Sequence, residues 1–221
     1  MPILNQYQTT RALLVAGALM SLSACVVQIT PNHGKFSVNS SDKFDAQHIT
    51  NISTVNENIT IPAYGEALSL ESVNGNIDVG DSASIRSAST VNGDIDVKQK
   101  VNITHGVETV NGNISLGSET QINGDIEAVN GNINLDSVRM NGDIDVVNGN
   151  ITLEGNSQIG GDIIIRRPEK SFWGNQRLSK NILSIGSDVN LKGNIILYRE
   201  VNLRLENEKL KNKLIYRSHG H

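Results

Sequence analysis

Residues 112–161 read GNISLGSETQINGDIEAVNGNINLDSVRMNGDIDVVNGNITLEGNSQIGG, and the repeat in these residues predicts the fold. Within it, Asn-Gly or Gly-Gly is followed by Asn or Asp and then by Ile, and the repeated glycines fall at positions 112, 124, 131, 142, 149 and 161. Long gaps of 11 or 12 residues alternate with short gaps of 7, so one of each makes 18 or 19 residues. A fixed period of this length is typical of a solenoid built from stacked coils.

Each repeat also predicts short strands with one buried side. The repeat starts with Asn or Asp, then Ile, any residue, and Val or Leu, and alternation with period two indicates a strand. In this register the coils begin at Asn76, Asp94, Asn113, Asn132 and Asn150, and a further coil at Asn181 departs in phase. A second strand column begins at Asp125, Asp143, Asp162 and Asn194.

Asn-Gly is also a strong hairpin signal, but a meander does not require two alternating gaps to add up to one constant value. We therefore predict an all-β protein, a single-stranded parallel β-helix of about seven coils of 18–19 residues with a short C-terminal cap. The handedness bias of parallel crossovers favours right-handed winding. Stacking predicts inward isoleucine columns and a corner ladder of asparagines (Asn74, Asn92, Asn111, Asn130, Asn148). The glycines are expected to permit positive φ at the turns.

The N-terminus has the pattern of a targeting signal. Arg11 precedes an apolar run over residues 12–22 that is too short to span a bilayer and suits a signal peptide. The run ends in Leu22-Ser23-Ala24-Cys25, which resembles the lipobox of bacterial lipoproteins. That resemblance implies cleavage before Cys25 and acylation of its thiol and new amino group. Residue 26 is Val rather than Asp, which by the same resemblance implies the outer membrane; an ordinary secretory signal is the alternative.

The domain division follows from these signals. We predict a signal peptide over residues 1–24, a lipidated tether over 25–50, a solenoid over 51–205 interrupted by an insertion at 166–180, and a C-terminal cap and tail over 206–221. Cys25 is the single cysteine, so an internal disulfide is excluded. A net charge of −4 gives no basic field for nucleic acid.

The repeat behind a lipoprotein signal is similar to the adhesin-type β-helix families of bacterial lipoproteins. It covers residues 55–197, most of the predicted mature chain. Most members of these families have no known biochemical function. The resemblance therefore implies a parallel β-helix at the cell envelope and leaves the activity open.

The insertion is the candidate binding site. Residues 166–180 read RRPEKSFWGNQRLSK, with five basic residues, one acid and the sole Trp of an otherwise acidic protein. Arg and Trp often dominate binding surfaces, so the segment suits an envelope glycan, a lipid headgroup or a protein partner. The alternative is that the aromatic residues cover the side of the solenoid. The candidate residues are Arg166, Arg167, Lys170, Phe172, Trp173, Arg177 and Lys180.

One column of carboxylates is a weak metal candidate. Asp125, Asp143 and Asp162 occupy one position in successive coils, and carboxylates are ligands that Ca²⁺ prefers. Asn194 continues the column, which favours the other interpretation, that each side chain accepts a backbone N–H bond at the turn. We predict no cofactor and no metal site.

The sequence favours a non-enzymatic envelope lipoprotein, a scaffold or adhesin-like surface, with no catalytic residues. A carbohydrate-active β-helix enzyme is the main alternative. Such an enzyme needs paired carboxylates on long loops, but the one long loop in the sequence has a single acidic residue, Glu169. A component of envelope-stress signalling is left open. Ice binding is disfavoured because the outward column Asp78, Asp96, Ser115, Asn134, Thr152 is too mixed. Oligomeric state does not follow from the sequence.

Overall fold

The computed structural model describes residues 35–37, 51–168 and 180–217. This part of the chain is an all-β parallel β-solenoid of about 8 turns with almost no helix, which confirms the predicted fold. In chain order the strands are β1 (Lys35–Ser37), β2 (Ile52–Thr54), β3 (Asn58–Ile61), β4 (Glu66–Ser72), β5 (Ile77–Val79), β6 (Ser84–Asn92), β7 (Ile95–Val97), β8 (Asn102–Ile103), β9 (Val107–Asn111), β10 (Ile114–Leu116), β11 (Gln121–Ile122), β12 (Ile126–Asn130), β13 (Ile133–Asp136), β14 (Arg139–Met140), β15 (Ile144–Asn148), β16 (Ile151–Glu154), β17 (Gln158–Ile159), β18 (Ile163–Ile165), β19 (Asn181–Ile185), β20 (Asn190–Leu191), β21 (Ile195–Leu197), β22 (Val201–Leu205) and β23 (Leu214–Tyr216).

Each coil runs over three faces. The first face is a parallel sheet in the order β1-β3-β5-β7-β10-β13-β16-β19-β22. The second face is made by the two-residue strands β8, β11, β14, β17 and β20, and the third by β9, β12, β15, β18, β21 and β23. These two faces form one sheet because β6 runs across the corner between them and pairs with both β8 and β9.

The core lies between the three faces and consists of stacked aliphatic side chains. Ile114 pairs with Ile95 on one side and with Ile133 on the other, as the 19-residue spacing predicts. The predicted columns Ile77, Ile95, Ile114, Ile133, Ile151 and Ile126, Ile144, Ile163, Ile195 are both confirmed, and every member is at most 1% exposed. Burial of each such side chain contributes about 1.5–3 kcal/mol, so the repeat itself supplies the stability.

The structure corrects the reason given for the glycines. Among the described glycines only Gly155 has positive φ. Gly93, Gly112, Gly131 and Gly149 instead stack directly on one another, and a Cβ on any of them would overlap the carbonyl oxygen of the glycine one coil earlier. Close approach between coils, and not a left-handed turn, is what requires glycine at this corner.

Another corner does use left-handed backbone. Equivalent residues of six successive coils have φ between +54° and +61°, and five of them are not glycine: Tyr64, Ser82, Lys100, Glu119, Ser137 and Gly155. L-residues rarely adopt this conformation. The chain therefore holds a column of strained residues where the first face turns into the second.

The insertion interrupts the stack at a single corner. It lies between β18 and β19, where earlier coils carry Val-Asn-Gly-Asn. Beyond it the first-face column continues at Leu183, which pairs with Ile151, so the predicted change of phase is confirmed.

The C-terminal end forms one more coil. Val201–Leu205 form β22, and the segment predicted as a C-terminal cap contains a 3₁₀ helix over Glu208–Lys213 that buries Leu210. Strand β23 then adds to the third face, which the sequence analysis did not predict. The stack is therefore about one turn longer than the seven coils predicted. At the other end, β1 lies in the range predicted as tether and pairs with β3. The handedness of the winding stays a prediction.

Candidate functional site

Asparagines at the corner between the third and first faces form a continuous hydrogen-bonded ladder. Each side-chain amide donates to the amide oxygen of the asparagine one coil earlier over 2.8–2.9 Å, from Asn148 through Asn130, Asn111, Asn92 and Asn74 to Asn56. The predicted ladder is confirmed and begins one coil earlier than predicted. These amides hold coils together.

The aspartate column also acts between coils. The N–H of Asp143 donates to Asp125 Oδ1 over 2.8 Å, and the N–H of Asp162 donates to Asp143 Oδ1 over 2.7 Å. Asn194 N–H makes the same bond to Asp162 Oδ1. The predicted backbone acceptor role is thus confirmed, although each donor lies in the next coil and not in the same turn. Among the described residues no group of three or more His, Cys, Asp or Glu side chains is placed to hold a metal ion.

The described start of the insertion is tied to the third face by an ion pair. Arg166 Nε donates to Asp145 Oδ1 at 2.8 Å and to Oδ2 at 2.7 Å, and Arg166 Nη2 also contacts Oδ2. The guanidinium carbon lies 6.0 Å from the centre of the Tyr198 ring. Burial raises the pKa of Asp145, and the charges of Asp143 and Asp125 add to this, whereas Arg166 opposes it. The first basic residue of the predicted site is therefore engaged within the chain.

The described end of the insertion is paired as well. Lys180 Nζ lies 2.7 Å from Glu200 Oε2, and this contact lowers the pKa of Glu200. Arg167 is exposed. The other candidate binding residues, Lys170, Phe172, Trp173 and Arg177, lie outside the described residues, as does Glu169.

Two side chains donate hydrogen bonds to the Val147 carbonyl where the asparagine ladder ends at the insertion. Arg199 Nη1 donates to Asn148 Oδ1 over 3.2 Å and to the Val147 carbonyl over 3.4 Å. The buried Asn181 amide donates to the same carbonyl over 3.1 Å. Burial, and then the charge of Arg167, lower the pKa of Arg199. This corner is closed by side chains from the following coils.

The first face carries a groove that sequence reasoning missed. It has a volume of about 510 Å³ and runs along β7, β10, β13 and β16 beside the corner that follows them. Its polar lining includes the outward column Asp96, Ser115, Asn134 and Thr152, and the carboxylates of Asp81, Asp136 and Glu154. Among the described residues that line the groove, Lys98, which lies 3.5 Å from Asp96, is the one basic residue. The sequence signal was present in that outward column, which the sequence analysis considered only as an ice-binding array.

Cys25 and the rest of the signal-like N-terminus lie outside the described residues. Within the described ranges, no helix has the length and apolar character needed to cross a bilayer. Comparison of the chain with family models, with curated proteins and with solved structures finds no match.

Proposed function

We propose that the protein is a non-catalytic lipoprotein of the bacterial cell envelope whose solenoid presents an interaction surface. The lipobox-like sequence at Cys25 supports anchoring, and Val26 favours the outer membrane. Several acyl chains on Cys25 would anchor the protein durably, because each buried methylene contributes about 0.8 kcal/mol. The solenoid would then extend from that anchor.

The observation that carries the proposal is how the side chains of each coil are divided between two tasks. Corner amides and carboxylates bind a neighbouring coil: the Asn130 amide donates to Asn111 in the preceding coil, and Asp125 accepts from the Asp143 N–H in the following one. Outward side chains between the corners, such as Ser115 and Asn134, instead face the groove on the first face. A repeating backbone with a polar groove along its stack suits an extended partner with hydrogen-bonding groups.

Charge narrows the class of partner for this groove. In the described lining the four carboxylates outnumber the single basic residue, Lys98, so an anionic headgroup would be repelled. These carboxylates belong to Asp81, Asp96, Asp136 and Glu154. A hydroxyl-rich glycan or a basic protein segment fits the groove better. We place the contact in the groove and not on the basic insertion, because Arg166 and Lys180 already pair with Asp145 and Glu200.

Binding by full chain solubilised in detergent tests this function. Envelope extracts, purified neutral and anionic glycans, and vesicles with anionic lipid are each offered to wild type and to a double variant, Ser115→Arg with Asn134→Arg. The control is Gln121→Arg with Gln158→Arg, which makes the same change at exposed positions of the second face. Loss of a partner in the first variant alone supports the groove. Equal binding by all three proteins, or none, contradicts it.

Anchoring is tested separately by growth with labelled palmitate. Label on wild type that is lost in Cys25→Ser, together with release of the variant from the membrane fraction, is the expected result. An unlabelled, soluble wild-type protein would refute a lipid anchor and leave the ordinary secretory signal.

A glycan hydrolase and lyase screen tests the enzymatic alternative. Turnover by wild type that disappears in Glu169→Gln would replace the binding function with catalysis. We expect no turnover from either protein.

A further inference from the structure

The outward side of the third face carries two parallel columns of side chains that the proposed function does not use. The valine column holds one valine from each of six successive coils: Val55, Val73, Val91, Val110, Val129 and Val147. Val55 is 54% exposed and the other five are partly exposed. Alternation along the strands directs these side chains away from the core, because their neighbours Thr90, Thr109 and Val146 are buried. A continuous apolar stripe on the outside of a sheet is typical of a surface that another segment or molecule covers.

The acid column runs beside the valine column, two residues earlier in each strand. It consists of Glu71, Ser89, Glu108, Glu127 and Asp145, in register through β4, β6, β9, β12 and β15. Four of these five residues are acidic. An occupant of the stripe therefore has to combine apolar side chains with basic ones.

We propose that this surface is the docking site for residues 169–179 of the same chain, with Phe172 and Trp173 on the valine column and Lys170 and Arg177 facing the acid column. The inference goes beyond the proposed function and does not depend on it. Three observations support this occupant over another molecule.

The first observation is the place where the segment leaves the solenoid. Arg166 occupies the position directly after Val147 in the valine column, since Val146 pairs with Ile165. Its guanidinium already binds Asp145, a member of the acid column. Arg166, at the described start of the insertion, therefore lies on the surface that the segment would cover.

The second observation is reach. Eleven residues separate Pro168 from Lys180, and an extended chain spans at most about 3.6 Å per residue. Lys180 lies near the same corner, paired with Glu200. A segment of this length that leaves and returns to one corner can reach at most about 18–20 Å at its middle. Coils are spaced by about 4.8 Å, which places Val129 and Val110, two and three coils away, within reach of the middle residues Phe172 and Trp173.

The third observation is composition. Residues 169–179 carry the sole Trp, a Phe, two basic residues and one acid. Aromatic rings have the largest apolar area to bury against a flat stripe, and the basic residues match the charge of the acid column. No other segment of the chain combines these features.

The sole tryptophan makes the test direct, because the intrinsic tryptophan fluorescence of the full chain in detergent reports Trp173 alone. The measurement is the emission maximum and the acrylamide quenching constant of wild type, of Val129→Lys and of Glu108→Lys with Glu127→Lys. The matched control is Asn134→Lys, which places the same charge on the exposed first face of the same coil as Val129. Far-UV circular dichroism and the melting temperature verify that each variant is folded.

Docking predicts a blue-shifted, protected Trp173 in wild type and in Asn134→Lys. It predicts a shift toward the emission and quenching of the denatured protein in Val129→Lys and in the charge-reversal variant, with the fold intact. Wild-type emission equal to that of denatured protein overturns the proposal, as does an equal shift in Asn134→Lys. Protection that disappears on dilution, together with dissociation of a dimer, overturns it in favour of a second copy as the occupant.

Discussion

Replacing Gly131 by Ala should destabilise the solenoid far more than an ordinary glycine substitution. The new Cβ would overlap the carbonyl oxygen of Gly112 in the preceding coil, so the two coils must separate at this corner. Separation breaks three hydrogen bonds between them: Gly112 N–H to Asn130 O at 3.1 Å, the Asn130 amide to Asn111 at 2.9 Å, and Asn132 N–H to Asn113 at 2.9 Å. At about 1 kcal/mol each, the expected loss is about 3 kcal/mol.

Gly186→Ala is the matched control for this prediction. Gly186 lies in the stack directly after the first-face strand β19, and the nearest atom to its added Cβ is the Leu153 oxygen at 3.5 Å, an ordinary contact. Its stability should change by no more than about 1 kcal/mol, with a gain expected from the lower entropy of the unfolded chain. Urea unfolding followed by far-UV circular dichroism compares the two variants. The midpoints report stability if the free energy of unfolding falls with urea concentration at the same slope in both. If both unfold at the wild-type urea concentration, the coils are not stacked on these glycines.

Three further substitutions change a buried core residue, a residue with left-handed backbone and a titrating carboxylate. Ile133→Asp should prevent folding or lower the melting temperature sharply by burying an unpaired charge, whereas Asn134→Asp on the outside of the same strand should melt like wild type; equal melting would contradict the register. Glu119→Gly should raise the free energy of unfolding by about 0.5–1 kcal/mol by removing left-handed strain at φ 60°, and a loss in urea unfolding would count against that strain. Because the pKa of Asp145 is raised, the native state holds its proton more tightly than the unfolded chain. The stability of wild type relative to Asp145→Asn should therefore fall as pH rises from about 4, the unfolded value, through the native pKa; denaturation at a series of pH values measures this, and a rising difference would refute it.

The sequence predicted the core because the core is periodic. An 18–19-residue repeat places Ile114 over Ile95 whatever the detailed path of the turns, so the columns and the asparagine ladder could be assigned from spacing alone. The same reasoning identified the role of Asp125, since Asn194 in its column pointed to a backbone acceptor.

Features that depend on distances between coils were not predictable in this way. The need for Gly131 arises from an atom one coil earlier, and spacing along the chain does not show how closely two backbones approach. The Arg166–Asp145 pair is a diagonal contact between neighbouring columns, visible in sequence only after the third-face columns are written side by side. Most of the candidate binding loop, including Trp173, lies outside the described residues, so its predicted role stays a prediction.

The groove on the first face could likewise be predicted only in part from the sequence. Its outward column was read from the sequence, but Asp81 and Glu154 lie at the corner, and their approach to that column depends on how the chain turns. The outward residues Asp96, Ser115, Asn134 and Thr152 could therefore be assigned to one column from the sequence, but the corner carboxylates and the shape of the groove could not.

Site-specific photo-crosslinking in living cells tests the central claim, that the solenoid is an envelope protein that binds a partner through its first face. A photoreactive residue is placed at Asn134 in the groove or, as the control, at the exposed Gln158 on the second face. We expect a membrane-associated adduct from position 134 and none from position 158. No adduct from position 134, or equal adducts from both, would contradict it.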